Sequence, residues 1–202
     1  KIKSMEKYRK LKVIGKGSHQ LHEPLFAGKE RKYLQHTINQ NFVSTAGQYV
    51  NEFEEKIKKF TKAKYAIAVV NGTQAIHIAL QVCGVKKNDE VLIPALTFVA
   101  TANAVSYLGA KPHFVDSQME NFGIDCKKLE KYLNEITKIK KKKCINKLTG
   151  NIIKAIVPVH VFGHPCDIQG VIKVAKKFNL AVVEDAAGAL GSFYNKKHFT
   201  NY

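Results

Sequence analysis

Two acids, Glu184 and Asp185, close the apolar stretch LAVVED and are followed by the small residues Ala186, Ala187 and Gly188. A carboxylate at the carboxyl end of a buried strand is costly unless a partner compensates it. The small residues leave room for a flat ligand, and a carboxylate beside them suits a protonated ring nitrogen. Gly72-Thr73 stands between the apolar run YAIAVV and the helical pattern TQAIHIALQVC. Glycine lets a backbone approach an anion closely, and a helix start offers N–H groups and the positive end of the helix dipole. The pair therefore suits a phosphate, and reads equally well as a plain helix start capped by Thr73. It is neither G-x-G-x-x-G nor a Walker A loop, so the dinucleotide and nucleoside triphosphate fingerprints are absent. Phe98 follows a strand and a proline and opens a helix. An aromatic there lies flat on a ligand ring or packs into the core.

A flat ring, a protonatable ring nitrogen and a phosphate together describe pyridoxal phosphate. A carboxylate on its pyridinium keeps the ring protonated and makes it an electron sink. On the residues alone, Glu184 and Asp185 both remain candidates for that carboxylate, and Asp185 also reads as a cap of the following segment.

These residues need elements to position them. Val50, Phe53, Ile57 and Phe60 recur at three- and four-residue steps, which predicts an amphipathic helix. YAIAVV (65–70) predicts a buried strand, and VLIPA (91–95), PHFVD (112–116), IIKAIVPVHV and LAVVED predict others. Helical patterns lie between them: TQAIHIALQVC, FVATANAVSYLGA, CKKLEKYLNEI with Leu129, Tyr132, Leu133 and Ile136 inward, and DIQGVIKVAKKF behind an Asp167 N-cap. Lys138 to Lys147 reads as an exposed polar excursion. Strands alternating with helices imply an α/β fold, three layers deep, with a mostly parallel sheet. Such sheets bind ligands beyond the carboxyl ends of their strands. Four features fall there: Asn71-Gly72-Thr73, Pro94 to Phe98, His160-Val161-Phe162-Gly163 and Glu184-Asp185.

Composition limits the alternatives. A chain of 202 residues with 45% hydrophobic content suits one domain, or one and a part. The formal net charge of +17 raises nucleic acid as a partner, but only Arg9 and Arg31 of the 33 basic residues are arginine. The lysines cluster in Lys56 to Lys59, Lys138 to Lys143 and Lys176-Lys177, and from Asn71 to Cys126 there are only Lys86, Lys87 and Lys111. Solvated lysine faces, without a nucleic-acid site, are the reading. No apolar run approaches the roughly 20 residues of a membrane span. Residues 1–20 form a basic lead-in without the apolar core of a secretory signal. Cys83, Cys126, Cys144 and Cys166 show no C-x-x-C spacing and read as reduced thiols of a cytoplasmic protein. His164-Pro165-Cys166 lacks a second ligand pair, so no metal site is expected.

The stretches FVSTAGQYVNEFEEKI, VNGTQAIHIAL, DEVLIPALTFVATANAV, GAKPHFVD, VPVHVFGHPCDI and VEDAAGALGSFYNKKH resemble the DegT/DnrJ/EryC1/StrS family of sugar aminotransferases. They cover about residues 20–198, and LHEPLFAGKERKYL with HVFGHPCDI looks nearest to the legionaminic acid and bacillosamine-type branch. The resemblance implies the large domain of a fold type I pyridoxal phosphate enzyme across 21–202. It implies amination at C4 of a nucleotide-linked 4-keto-6-deoxy sugar, glutamate as donor, and a homodimer. By the same resemblance Gly72 and Thr73 hold the phosphate, Phe98 stacks on the ring and Asp185 binds its nitrogen, while Ser44, Thr45 and Gly47 lie near the substrate. Two departures stand out. Gly188 occupies a position that carries Gln, His or Glu in the family. The Schiff-base lysine is expected beyond Tyr202, with the small C-terminal domain, so the chain reads as a fragment, inactive alone; Lys196 and Lys197 sit in the preceding hairpin-like stretch. The other reading is an inert remnant or binding module of the same fold.

Overall fold

A computed structural model describes residues 25–41, 44, 47–194 and, as backbone, 197–198. The chain divides into two compact units, Lys1–Gly47 and Gln48–Tyr202. In the first, helix α1 (Glu30–Asn39) buries no residue.

The second unit carries the sheet. Its helices are α2 (Gln48–Thr61), α3 (Gly72–Val82), α4 (Val99–Tyr107), α5 (Cys126–Ile136) and α6 (Ile168–Phe178). Its principal strands are β1 (Glu90–Pro94), β2 (Lys111–Val115), β3 (Thr137–Lys140), β4 (Lys143–Asn146), β5 (Ile152–Ile156) and β6 (Ala181–Val182). The order is β2-β1-β5-β4-β3, and β6 also pairs β5. The pairs β1·β2, β1·β5 and β5·β6 are parallel, while β3·β4 and β4·β5 are antiparallel.

All five residues of β1 are buried because the strand is covered on both faces. Leu92 and Ile156 join the core made with α5 and α6, whereas Val91, Ile93 and Val157 join the core made with α3 and α4. Strand periodicity sends neighbouring side chains to opposite faces, and each face meets its own helix pair. This is the three-layer α/β arrangement expected from the sequence, with a sheet mixed by its antiparallel edge.

The structure corrects three expectations. YAIAVV forms no strand and is mostly exposed, with Tyr65 at 72% and Ile67 at 82%. Extended apolar character is local, but a strand needs a neighbour to accept its backbone hydrogen bonds, and none of the described residues pairs with it. The amphipathic helix expected over 48–61 is present as α2, with Phe53 and Phe60 of its apolar stripe exposed. The excursion after α5 is the antiparallel hairpin β3–β4 on the sheet edge, with Lys138 against Ile145. Tyr132 is partly exposed, drawn outward by its hydroxyl contact to His113 Nε2 at 3.0 Å.

Candidate functional site

The loops at the carboxyl ends of β1, β5 and β6 meet the start of α3 around one cavity of about 490 Å³. Gly72, Thr73, Phe98 and Asp185 all line it. So do Thr97, His160, Phe162 and Gly188. Parallel strands place their carboxyl ends on one side of the sheet, so residues far apart in sequence converge there.

The anion-binding end is the first turn of α3. Asn71, not Thr73, is its N-cap: the Asn71 side chain accepts from the Gln74 N–H at 2.9 Å. The first N–H groups of a helix have no acceptor within it, and Gly72 and Thr73, the first two residues of α3, line the cavity. A Cβ on Gly72 would meet nothing within 4 Å, so the backbone is open to close approach. Phe98 is the N-cap residue of α4 and is 76% exposed, which rules out ordinary core packing.

Asp185 is 9% exposed and held from several sides. Thr101 Oγ1 donates to its Oδ2 at 2.7 Å, and the Ala187 N–H donates to its Oδ1 at 3.2 Å. Its backbone N–H donates to Pro158 O at 2.9 Å, and its carbonyl accepts from the His160 N–H at 3.1 Å. Glu184 is engaged elsewhere. His160 Nδ1 accepts from the Cys166 N–H at 3.1 Å, which leaves the ring proton on Nε2, facing Glu184 Oε2 at 3.1 Å. Of the two acids that end LAVVED, Asp185 lines the cavity and Glu184 locks a histidine.

The turn bearing Phe162 is tight. Phe162 adopts φ 52° and ψ 26° and is 74% exposed. Gly163, at φ +79°, packs so closely that a Cβ on it would lie 2.7 Å from Gly188 O. Ser192 Oγ closes the turn by donating to Gly163 O at 2.8 Å. A bulky residue held in left-handed backbone at a cavity mouth is a feature of ligand sites. Thr101 escapes a sequence reading because helical spacing alone marks it as core; only its placement opposite Asp185 reveals its role.

Ser44 is exposed and Gly47 half-buried, both in the first unit, and Thr45 lies outside the described residues. Lys196 also lies outside them. Among the described residues no lysine lines the cavity, no His/Cys/Asp/Glu group could hold a metal ion, and no helix is long and apolar enough to cross a membrane.

The arrangement has known counterparts. GDP-perosamine synthase of Escherichia coli O157:H7 is 38% identical over 88% of this chain and 44% of its own length. A putative pyridoxal phosphate-dependent aminotransferase of Bacillus subtilis is 33% identical over 88% of this chain and 43% of its own. The crystal structure of an aminotransferase from Psychrobacter cryohalolentis superposes with a TM-score of 0.71 at 32% identity, over 85% of this chain and 40% of that one. The chain thus spans less than half the length of the relatives it matches. Residues 25–202 match the model of one family along nearly the whole described chain: the protein belongs to the DegT/DnrJ/EryC1/StrS aminotransferase family.

Proposed function

We propose that this chain is the cofactor-binding part of a pyridoxal phosphate-dependent aminotransferase that acts on a nucleotide-linked keto sugar. The observation that carries the reading is the shared cavity of Gly72, Thr73, Phe98 and Asp185. The fit is chemical. The α3 N-terminus offers N–H donors and a positive dipole end to a phosphate. Phe98 offers an exposed aromatic face to a ring. Asp185 offers a nearly buried carboxylate to a ring nitrogen.

When bound, pyridoxal phosphate supplies an electron sink for the carbon that gains or loses the amino group. This chain's residues do the holding. Gly72 and Thr73 would hold the anionic end, Phe98, Ala187 and Gly188 would border the ring, and Asp185 would keep the ring nitrogen protonated. The Thr101 and Ala187 bonds fix the Asp185 oxygens before the ligand arrives, so little ordering remains for binding to impose. The relatives supply the substrate class: GDP-perosamine synthase acts in nucleotide-sugar chemistry by its name, and a dTDP-3-amino-3,6-dideoxy-alpha-D-galactopyranose transaminase from Aneurinibacillus thermoaerophilus is 33% identical over 170 residues. We propose amination at C4 with glutamate as donor from the likeness of LHEPLFAGKERKYL and HVFGHPCDI to the branch of that specificity, and a homodimer from the resemblance to the family as a whole. A binding-only module is the second reading, favoured by Gly188, which lines the cavity without a side chain.

Titration of the purified chain with pyridoxal phosphate, followed by absorbance, tests the proposal. Inorganic phosphate should compete, and Asp185→Asn should weaken binding about tenfold, the loss of one charged hydrogen-bonded pair. Equal affinity of wild type and Asp185→Asn would overturn the cofactor reading. Amino transfer from glutamate to a nucleotide-linked 4-keto sugar by the same preparation would exclude the binding-only module.

A further inference from the structure

Asp185 Oδ2 receives its hydrogen bond from Thr101 Oγ1, a hydroxyl on a residue with no exposed surface. A threonine hydroxyl has one proton to give. Since that proton goes to the carboxylate at 2.7 Å, the 2.9 Å contact between Thr97 Oγ1 and Thr101 Oγ1 must run from Thr97 to Thr101. Thr97 Oγ1 also lies 3.4 Å from Phe98 O, but the 2.9 Å contact to Thr101 is the stronger claim on its one proton, so the donors form a directed chain, Thr97 to Thr101 to Asp185. Phe98 sits inside it. Its neighbour Thr97 is the first donor, and its carbonyl accepts the Thr101 N–H at 3.1 Å. The aromatic that lines the cavity and the acid that faces it are thus tied through one buried residue, although 87 positions separate Phe98 from Asp185 (185 minus 98).

We infer that Thr101 is a positioning residue that sets the Asp185 carboxylate, with Thr97 as the outer donor. The inference rests on the cofactor reading above and assigns the residues that make that site rigid. Its physical basis is the cost of the alternative. Without the Thr101 hydroxyl, Oδ2 would lose its short donor in a place that water scarcely reaches, and the carboxylate would turn toward other donors and away from the ligand. Hydroxyls in series also polarise one another, so loss of Thr97 weakens the inner bond.

The test measures pyridoxal phosphate affinity, and the ¹⁵N shift of the pyridine nitrogen of bound labelled cofactor, in the full chain. Variants are Thr101→Val, Thr101→Ser, Thr97→Val, Asp185→Asn and the double variant Thr101→Val/Asp185→Asn. Thr101→Val keeps the shape and removes the hydroxyl; it should weaken binding about fivefold to tenfold and move the nitrogen shift toward the neutral ring. Thr101→Ser should return both readouts to wild type within about twofold, and Thr97→Val should show a smaller change in the same direction. In the Asp185→Asn background, Thr101→Val should add nothing, because the two act through one contact. If Asp185→Asn itself changes neither readout, the cofactor reading fails. If Asp185→Asn weakens binding while Thr101→Val matches wild type, the positioning role fails and the cofactor reading stands. Should Thr101→Val not fold, Thr97→Val decides: its side chain is only half-buried, and wild-type behaviour in both readouts would overturn the directed chain.

Discussion

Buried acids in this molecule have separate tasks, and their partners tell them apart. Asp185 faces a cavity, Glu184 holds His160, and Glu90 serves the fold alone. Glu90 opens β1 and is 3% exposed. Burial alone would push its carboxyl up, but hydrogen bonds from Thr149, Asn146, His113 and Asn151 outweigh burial and hold it at about 2. A carboxyl depressed on folding contributes stability that is fully present above its unfolded value and lost as pH falls through its folded one. That contribution should therefore hold above about 4.5 and vanish as pH approaches about 2. Glu90→Gln presents an amide to donors that need an acceptor, so it should cost about 2 kcal/mol at neutral pH and flatten the acid limb. Urea unfolding at pH 7 and across the acid range checks both; an unchanged acid limb would place the titration elsewhere. Glu90 escaped the sequence reading because its partners come from β2, β4 and the turn that follows β4, and no local pattern announces them.

Elements were legible where their cause is local. The Asp167 N-cap could be read because the residue it serves lies three positions on: Asp167 Oδ1 accepts from the Gly170 N–H at 3.0 Å. The same oxygen accepts from Tyr194 Oη at 3.3 Å, a contact no spacing suggests. Asp167→Ala should cost about 1–2 kcal/mol, more than Asp125→Ala, whose carboxylate caps only its own helix through Lys127 and Lys128 N–H. Thermal unfolding of the two variants gives the comparison, and equal losses would show that the Tyr194 bond contributes nothing. Phe98, His160 and Asp185 of the candidate cavity were legible for a related reason, since each follows a strand that the βα alternation marks, whereas Gly72 and Thr73 were legible from the start of α3. YAIAVV was not, because pairing depends on a neighbour and composition gives only the tendency to extend. The lysines of 138–143 fall between these cases. Their exposure followed from charge, but their position on the edge hairpin, with Lys138 and Lys140 on edge strand β3 and Lys143 at the start of β4, did not. There they have a physical use: charged side chains on an open sheet edge discourage pairing with another chain.

For the molecule as a whole, charge and exposed apolar surface pull in opposite directions. Phe53, Ile57 and Phe60 of α2, with Leu190, line an open apolar hollow of about 650 Å³ bordered by Lys56 and Lys59. Exposed apolar patches of this kind drive association. The net charge of +17 resists it. The balance should be set by salt, because surface repulsion is screened while apolar burial is not. At about 0.01 M ionic strength the screening length is roughly 30 Å, comparable with the protein, and copies should stay apart. At about 1 M it is roughly 3 Å, and the apolar hollow should win. Sedimentation velocity at several protein concentrations should therefore show mass-average size rising with sodium chloride. The double variant Phe53→Ser/Phe60→Ser removes two exposed rings and should abolish most of the rise, with little loss of stability because each ring is 55% exposed. Pyridoxal phosphate should leave the association unchanged, since the hollow and the proposed cofactor cavity have no lining residue in common. Association that instead weakens with salt would mean that opposite charges join the copies, and that the apolar face of α2 is not what brings them together.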